Sequence, residues 1–160
     1  MMKKKLVILP LIFLISIPVI AQGKIPPFRM IRWDGTMFSA TQLPMGKPVM
    51  IYYFSPECEE CQKFTGELLS KINDFSNVSI AMITYQSTQT VADYVKKNHL
   101  RSYANIYVGT EGSSLFVRNY YNILHFPFVA LYTKEGKLIR TYTWKEVSVE
   151  DMIFRLKNIK

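Results

Sequence analysis

The sequence predicts one α/β domain in which a mixed β-sheet carries helices on both faces. Short apolar runs bounded by glycine, proline or polar residues indicate strands, and apolar residues spaced three or four apart indicate helices. These segments follow the order ββ–βαβαβα–ββα, which is typical of a sheet with both parallel and antiparallel strands. The chain has 160 residues, a common length for one domain with one core.

The first 21 residues have the pattern of a secretion signal. Lysines at positions 3–5 form a basic start, and an apolar stretch follows at residues 6–17. Val19-Ile20-Ala21 then offers residues that a signal peptidase accepts. The apolar stretch is short for a membrane span, which takes about 20 residues, and an uncleaved anchor is the alternative interpretation. The sequence therefore predicts a signal peptide at residues 1–21 and a single domain at residues 22–160.

The charge of the chain does not favour a nucleic-acid partner. Twenty Lys and Arg against twelve Asp and Glu give a formal net charge of +8, and removal of the three leader lysines lowers it to about +5. The remaining basic residues are scattered, with no run longer than two. A solvated basic surface explains this pattern better than a nucleic-acid site. Contact with a membrane is expected only if the N-terminal segment stays uncleaved.

The domain is predicted to begin with a hairpin. Two short strands at residues 29–32 and 37–39 flank Asp34-Gly35, a turn signal. A loop at residues 43–48 then leads to the apolar and aromatic run at 49–54, which reads as a buried strand.

Strands and helices alternate through the rest of the chain. The predicted elements are a helix that starts at Cys58, strands at 78–84, 106–108, 128–132 and 138–142, and helices at 88–98, 113–121 and from Ser148 onward. Thr88 is the expected N-cap of the helix at 88–98. Gly109 is expected to end the short strand at 106–108. Lys134-Glu135-Gly136-Lys137 is a second hairpin signal.

Cys58 and Cys61 are the only cysteines in the chain and lie where a strand gives way to a helix. Unpaired N–H groups and the helix dipole favour a thiolate at such a helix start. Cysteines at positions i and i+3 lie on one side of the helix and can close a short disulfide. That loop is too small to stabilise the fold much by constraining the unfolded chain. The pair therefore predicts dithiol–disulfide exchange.

A metal site is the competing interpretation of the two cysteines. A zinc site takes a second pair of ligands, whereas the two histidines, His99 and His125, are single and far apart in the sequence. The eight methionines are dispersed and favour core filling over a copper site. We therefore expect no metal, and no cofactor beyond a redox-active Cys58–Cys61 disulfide.

The order of elements, the Cys-x-x-Cys at a helix start and a proline that opens a later strand together resemble the thioredoxin fold. The resemblance is to bacterial exported thioredoxin-like proteins of the TlpA/ResA type and extends over residues 28–156. Residues 121–128 match the pattern that leads to the active-site proline, which the resemblance places at Pro127 in the cis form, against the dithiol. The resemblance thus implies a thioredoxin fold with an N-terminal β-hairpin and a helix–strand insertion (residues 88–98 and 106–108) before that proline.

The chain departs from the family pattern at four positions. Glu57 replaces the usual aromatic residue before the first cysteine, and Phe126 replaces the polar residue often found before the cis-proline. Tyr52 takes the place of the buried acidic residue that relays a proton in many thioredoxins. Gly66 replaces a helix-kinking proline. These departures concern the redox potential, the partner surface and general-base assistance.

The expected roles of the two cysteines follow from their places on the helix. Cys58 lies nearest the helix start and is expected to attack, and Cys61 is expected to resolve the mixed disulfide. Glu57, Glu59 and Glu60 place negative charge near a developing thiolate and oppose the helix dipole. The sequence therefore predicts a dithiol that tends to reduce its partners.

The resemblance implies an exported thiol–disulfide oxidoreductase of the bacterial periplasm or cell envelope. Its partners would be protein thiols and disulfides, together with an unidentified electron donor. Phe126 and Phe128 form a candidate apolar groove beside Cys58, where an extended partner segment would pair with the backbone at Phe126. A thioredoxin-fold binding or scaffold protein without redox turnover is the alternative, and a peroxidase with Ser55 in place of a threonine is a weaker one.

Overall fold

The computed structural model describes residues 23–158. The proposed signal peptide lies outside the described residues. The strands are β1 (Arg29–Arg32), β2 (Met37–Ser39), β3 (Val49–Tyr53), β4 (Ser79–Thr84), β5 (Ile106–Thr110), β6 (Phe128–Tyr132) and β7 (Leu138–Tyr142), and the α-helices are α1 (Glu59–Ser70), α2 (Thr88–Lys97), α3 (Phe116–Tyr120) and α4 (Val149–Asn158). Among these helices, none has the length and apolar composition that a membrane crossing requires.

The seven strands form one mixed sheet in the order β2-β1-β5-β4-β3-β6-β7. β3, β4 and β5 are parallel neighbours, and the flanking strands β1 and β6 run antiparallel to them. Every residue of β3 and β4 is buried, as expected for central strands that are covered on both faces. The predicted fold class is therefore confirmed, with its N-terminal hairpin and its helix–strand insertion α2–β5.

The alternation of side chains along β3 divides the core into two parts. Met50 and Tyr52 point to the face covered by α1, α2 and α4. Ile51 and Tyr53 point to the opposite face, which the N-terminal hairpin and α3 cover. Because successive side chains of a strand point to opposite faces, the neighbours Tyr52 and Tyr53 reach different parts of the molecule. This division decides which tyrosine lies beside the dithiol.

Three local predictions were wrong in detail. Ser87, rather than Thr88, caps α2, since its hydroxyl accepts the Thr90 N–H at 3.1 Å. β5 does not stop before Gly109 but continues through it, because this residue pairs with both β4 and β1. β1 lies so close that a Cβ there would be 2.7 Å from the Ile31 carbonyl oxygen, which explains the glycine. The helix predicted at 113–121 shortens to α3, since Leu115 adopts a left-handed backbone with φ of 46°.

Three other predicted local signals are confirmed. Asp34-Gly35 turns the chain between β1 and β2, whose residues pair antiparallel. Residues 133–137 turn it between β6 and β7, with the Thr133 N–H donating to the Lys137 carbonyl at 2.8 Å. Ser148 caps α4 through a hydrogen bond from the Asp151 N–H at 3.3 Å.

Candidate active site

Cys58 lies at the N-cap of α1, directly after the turn that ends β3. Its N–H donates to the Ser55 carbonyl at 3.1 Å, and its backbone is still extended. The Sγ atom accepts the N–H of Cys61 at 3.2 Å, so sulfur takes the place that a serine or aspartate oxygen holds in an ordinary cap. A negative charge on this sulfur would face the unpaired N–H groups of the helix start. The predicted position of Cys58 is confirmed.

Cys61 lies one turn further along and is fully buried, whereas Cys58 is half-buried. Both are free thiols in this structure. Burial, together with a hydrogen bond to Cys58, raises the pKa of the Cys61 thiol well above its ordinary value. Cys58 is therefore the sulfur that a partner can reach, and Cys61 is a protonated thiol in the interior.

The Phe126–Pro127 peptide bond is cis, as the family pattern predicted. Pro127 is buried, and the carbonyl oxygen of Phe126 lies 3.8 Å from the Cys58 Sγ atom. The fold thus brings together a sulfur and a main-chain acceptor that are 68 positions apart in the sequence. An extended chain that reaches Cys58 would meet this carbonyl.

Tyr52 lies beneath the dithiol and links it to a set of hydroxyl groups. Its hydroxyl donates to the Cys61 carbonyl at 3.0 Å and lies 3.1 Å from Thr65 Oγ1. Tyr94 on α2 donates to the same Thr65 oxygen at 2.8 Å. Burial raises the pKa of Tyr52 well above its ordinary value, and that of Tyr94 to about 12. The place of a buried acid is therefore held by an uncharged hydroxyl chain, Tyr52–Thr65–Tyr94.

The three glutamates around Cys58 are exposed, as their position at a helix start predicts. Sequence reasoning overlooked Lys63, whose ammonium group pairs with Glu59 at 3.0 Å and with Glu60 at 3.1 Å. The spacings i,i+4 and i,i+3 were the available signal. Lys63 offsets part of the negative charge that these carboxylates place near the Cys58 sulfur.

The two phenylalanines beside the proline have different environments. Phe128 is 6% exposed and packs in the core against Tyr121, with ring centroids 4.9 Å apart. It lines a pocket with His125 and Trp144 that neither Cys58 nor Phe126 lines, so it does not form a groove beside Cys58, which corrects the sequence prediction. Phe126 is half-buried, and its ring centroid lies 5.8 Å from that of Tyr53 and 5.8 Å from that of Tyr85.

Glu111, Arg118 and Tyr85 are neighbours of the site that sequence reasoning missed. The Glu111 carboxylate is 7% exposed and accepts the Tyr53 hydroxyl at 2.7 Å. Burial and this hydrogen bond raise the pKa of Tyr53 far above its ordinary value, so its hydroxyl stays a donor. These contacts join residues up to 58 positions apart, and no local spacing announces them.

The histidines do not join the cysteines in a metal site. His125 packs against Trp144, with ring centroids 5.9 Å apart, and His99 follows α2 with a left-handed backbone. Within residues 23–158, no three or more His, Cys, Asp or Glu side chains are grouped so that they could hold a metal ion.

A family model described as thioredoxin-like matches residues 46–138, more than half of the chain. The chain belongs to the thioredoxin-like family. The match includes the dithiol, the cis-proline and the strands between them. A comparison with curated protein sequences gives no match.

Solved structures from several bacteria share this thioredoxin-like fold. A secreted disulfide oxidoreductase from Mycobacterium tuberculosis, described as homologous to E. coli DsbE, superposes with a TM-score of 0.67 at 17% identity, over 83% of this chain and 96% of that one. The thioredoxin domain of a thiol-disulfide oxidoreductase from Bacteroides vulgatus gives 0.68 at 22% identity, over 85% and 94%. The peroxidoxin BcpB from M. tuberculosis gives 0.72 at 12% identity, over 86% and 97%. At these identities the likeness establishes the fold.

Proposed function

We propose that this protein is an exported thiol–disulfide oxidoreductase of the TlpA/ResA type that reduces disulfides in partner proteins. One observation carries the proposal. The accessible Cys58 sulfur caps α1, with the buried Cys61 thiol one turn behind it and the Phe126 carbonyl 3.8 Å away. A scaffold protein has no need to keep two free thiols and a main-chain acceptor together at one helix start.

The proposed exchange has two steps. The Cys58 thiolate attacks one sulfur of a partner disulfide, so the partner S–S bond breaks as a Cys58–partner disulfide forms. The displaced sulfur leaves with the bonding electron pair and takes a proton from solvent. Cys61 then loses its proton and attacks Cys58, which closes the Cys58–Cys61 disulfide and releases the second partner sulfur. The partner gains two electrons and two protons, and the dithiol loses them.

The reducing direction is supported by the charges around Cys58. Carboxylates near a sulfur disfavour its thiolate, and a less stabilised reduced form makes a dithiol a stronger reductant. Glu57, Glu59 and Glu60 supply that charge, and Lys63 offsets part of it. A reductant outside the cytoplasm needs an electron donor, which we propose to be a further dithiol protein.

Export is supported by the basic and apolar pattern of residues 1–21. One of the structural neighbours is described as a secreted disulfide oxidoreductase. We propose cleavage after Ala21 and a location in the bacterial periplasm or cell envelope. The N-terminal sequence of the protein recovered from that compartment would test the position of the cleavage.

The test is an equilibrium titration of the purified protein against dithiothreitol or glutathione buffers, with alkylation and mass measurement of the free thiols. We expect a single reversible disulfide, absent in Cys58→Ser and Cys61→Ser, with a potential nearer to about −270 mV, as in thioredoxin, than to about −120 mV, as in DsbA. A strongly oxidising value would overturn the reducing direction. A pair that neither closes nor reopens would overturn the enzyme and favour the scaffold, which should keep its partner when both cysteines are serine.

A further inference from the structure

A buried carboxylate, that of Glu111, lies next to the residues that surround Phe126 and takes no part in the proposed exchange. Glu111 follows β5 and accepts three hydrogen bonds: from the Tyr53 hydroxyl at 2.7 Å, the Val117 N–H at 2.6 Å and the Arg118 N–H at 3.3 Å. An ionised carboxylate is stable in the interior only with such donors. Glu111 therefore joins the end of β3 to the beginning of α3.

Both elements that Glu111 joins also contact Phe126. Tyr53 lies against the Phe126 ring from β3. Arg118 on α3 places its guanidinium carbon 5.5 Å from the centre of the Phe126 ring and 5.6 Å from that of Tyr85. Its Nε atom donates to the Ile123 carbonyl at 3.3 Å, within the segment that leads to the cis-proline. The ring of Phe126 is thus held by two tyrosines and one guanidinium group.

These contacts end on the residue whose carbonyl lies beside Cys58. The ring and the carbonyl belong to one residue, and Arg118 also holds the backbone of the preceding segment at Ile123, so loss of these contacts frees the acceptor that an extended partner segment would meet. We propose that Glu111 and Arg118 are positioning residues that fix the Phe126 carbonyl, and that they set how readily a polypeptide disulfide, as opposed to a small disulfide, reacts at Cys58. This inference rests on the proposed function.

Glu111 and Arg118 would affect the binding of a polypeptide partner and leave the chemistry of the dithiol unchanged. No hydrogen bond or ring contact joins Glu111 or Arg118 directly to Cys58 or Cys61 among the described residues. A small disulfide such as 5,5′-dithiobis(2-nitrobenzoate) has no peptide backbone and cannot use the Phe126 carbonyl in an extended pairing. A disulfide-linked peptide dimer can use it. The two probes therefore report on different parts of the site.

The variants Glu111→Gln and Arg118→Met have control variants on α4, which carries Asp151 and Arg155. Asp151 accepts the Tyr142 hydroxyl at 2.7 Å and Arg155 Nε at 2.7 Å, and among the described residues none of these three makes a ring or cation contact with Phe126. Asp151→Asn removes a carboxylate that accepts a tyrosine hydroxyl, as Glu111→Gln does, and Arg155→Met removes a guanidinium group that donates a hydrogen bond through Nε, as that of Arg118 does. Circular dichroism establishes which of the four proteins are folded.

The experiment measures the second-order rate constants for both probes in all variants. We expect the ratio of the peptide rate to the small-disulfide rate to fall about tenfold in Glu111→Gln and Arg118→Met, and to stay unchanged in the controls. Equal ratios in all proteins, or equal slowing with both probes, would overturn the inference.

Hydrogen exchange of residues 121–128, followed by mass spectrometry, gives a readout that does not depend on redox activity. We expect faster exchange there in Glu111→Gln than in Asp151→Asn. Unchanged exchange would overturn the positioning role even if the wild-type dithiol is active. A wild-type dithiol that reacts with neither probe, combined with faster exchange in Glu111→Gln, would overturn the proposed function and its partner preference while the positioning of Phe126 stands.

Discussion

In the proposed exchange, the individual residues of the site divide the work between an accessible sulfur and a buried one. Cys58 is reached from solvent and is held by a backbone N–H. Cys61 is enclosed by the core, and its raised pKa means that it needs help to lose its proton. The Ser55 backbone and, to a smaller extent, the Tyr52 hydroxyl act in the opposite direction and lower the pKa of Cys61, although in this structure the Tyr52 hydroxyl donates to the Cys61 carbonyl. The hydroxyl of Tyr52 is thus the side-chain group best placed to assist the resolving step.

We expect Tyr52→Phe to slow closure of the Cys58–Cys61 disulfide by about tenfold at neutral pH, since it removes the buried hydroxyl beside Cys61 that could turn to donate to the thiolate as it forms. The attack of Cys58 should be unchanged. The measurement is the two-phase release of thionitrobenzoate, in which the first phase reports Cys58 and the second reports closure.

Tyr142→Phe is the matched control for this prediction, because it also removes a buried tyrosine hydroxyl and its 2.7 Å hydrogen bond. It should leave both phases unchanged. A second phase that is equally fast in Tyr52→Phe and in the wild type would show that Tyr52 has no part in closure.

At the scale of elements, α1 carries the site at one end and its link to α4 at the other. Lys63 pairs with Glu59 and Glu60 in the first turns, and Lys71 at the last turn pairs with Glu150 of α4. The side chain of Lys63 is 62% exposed and that of Lys71 is 36% exposed, so salt screens the interactions of both. They differ in their distance along the helix from Cys58, which makes them a natural comparison.

We expect Lys63→Gln to make the dithiol more reducing by an amount on the order of 10 mV at low salt. The variant leaves Glu59 and Glu60 without a counter-charge beside the Cys58 sulfur. The redox titration, repeated at high salt, should show the shift shrink. Lys71→Gln should show no shift, and an equal shift in both variants would mean that only the net charge matters.

At the scale of the whole molecule, the sheet order places β3 between β4 and β6. The chain therefore leaves β3 towards the dithiol directly beside the point where β6 begins at the cis-proline. Tyr53, the last residue of β3, pairs with Phe128, the first residue of β6. The segments that carry Cys58 and Pro127 therefore leave the sheet side by side. The same packing that assembles the site also buries Cys61, so folding and the titration of this thiol are linked.

We expect the reduced protein to lose stability as the pH rises above about 8.5, the ordinary pKa of a cysteine. The pKa of Cys61 is higher in the folded state, so only the unfolded chain releases this proton in that range. The free energy of unfolding should fall by about 1.4 kcal/mol per pH unit from this group, from about pH 8.5 up to the folded pKa. Urea unfolding between pH 8.5 and 10 measures it. Cys61→Ala should lack this slope, and identical slopes would contradict the burial of a neutral thiol.

The local parts of the structure were readable from the sequence because their signals lie within one element. Hydrophobic runs predicted β3 and β4, the Asp34-Gly35 turn predicted the hairpin, and the position of Cys58 followed from the change of pattern at residue 55. The errors arose where a local signal had a cause elsewhere in the fold. Gly109 reads as a strand end, yet β1 passes so near that only glycine fits within the strand.

The sequence by itself determined the fold class, the place of the two cysteines at a helix start and the proline that faces them. These follow from periodicity, turn residues and a family pattern, all of which are local properties of the chain. The family pattern already placed Tyr52 where many thioredoxins have an acid, and only the tertiary structure joined its hydroxyl to Thr65 and Tyr94. It also decided that Glu111 and Arg118 stand behind Phe126. The physical reason is that such contacts depend on which strands become neighbours and which face each side chain takes.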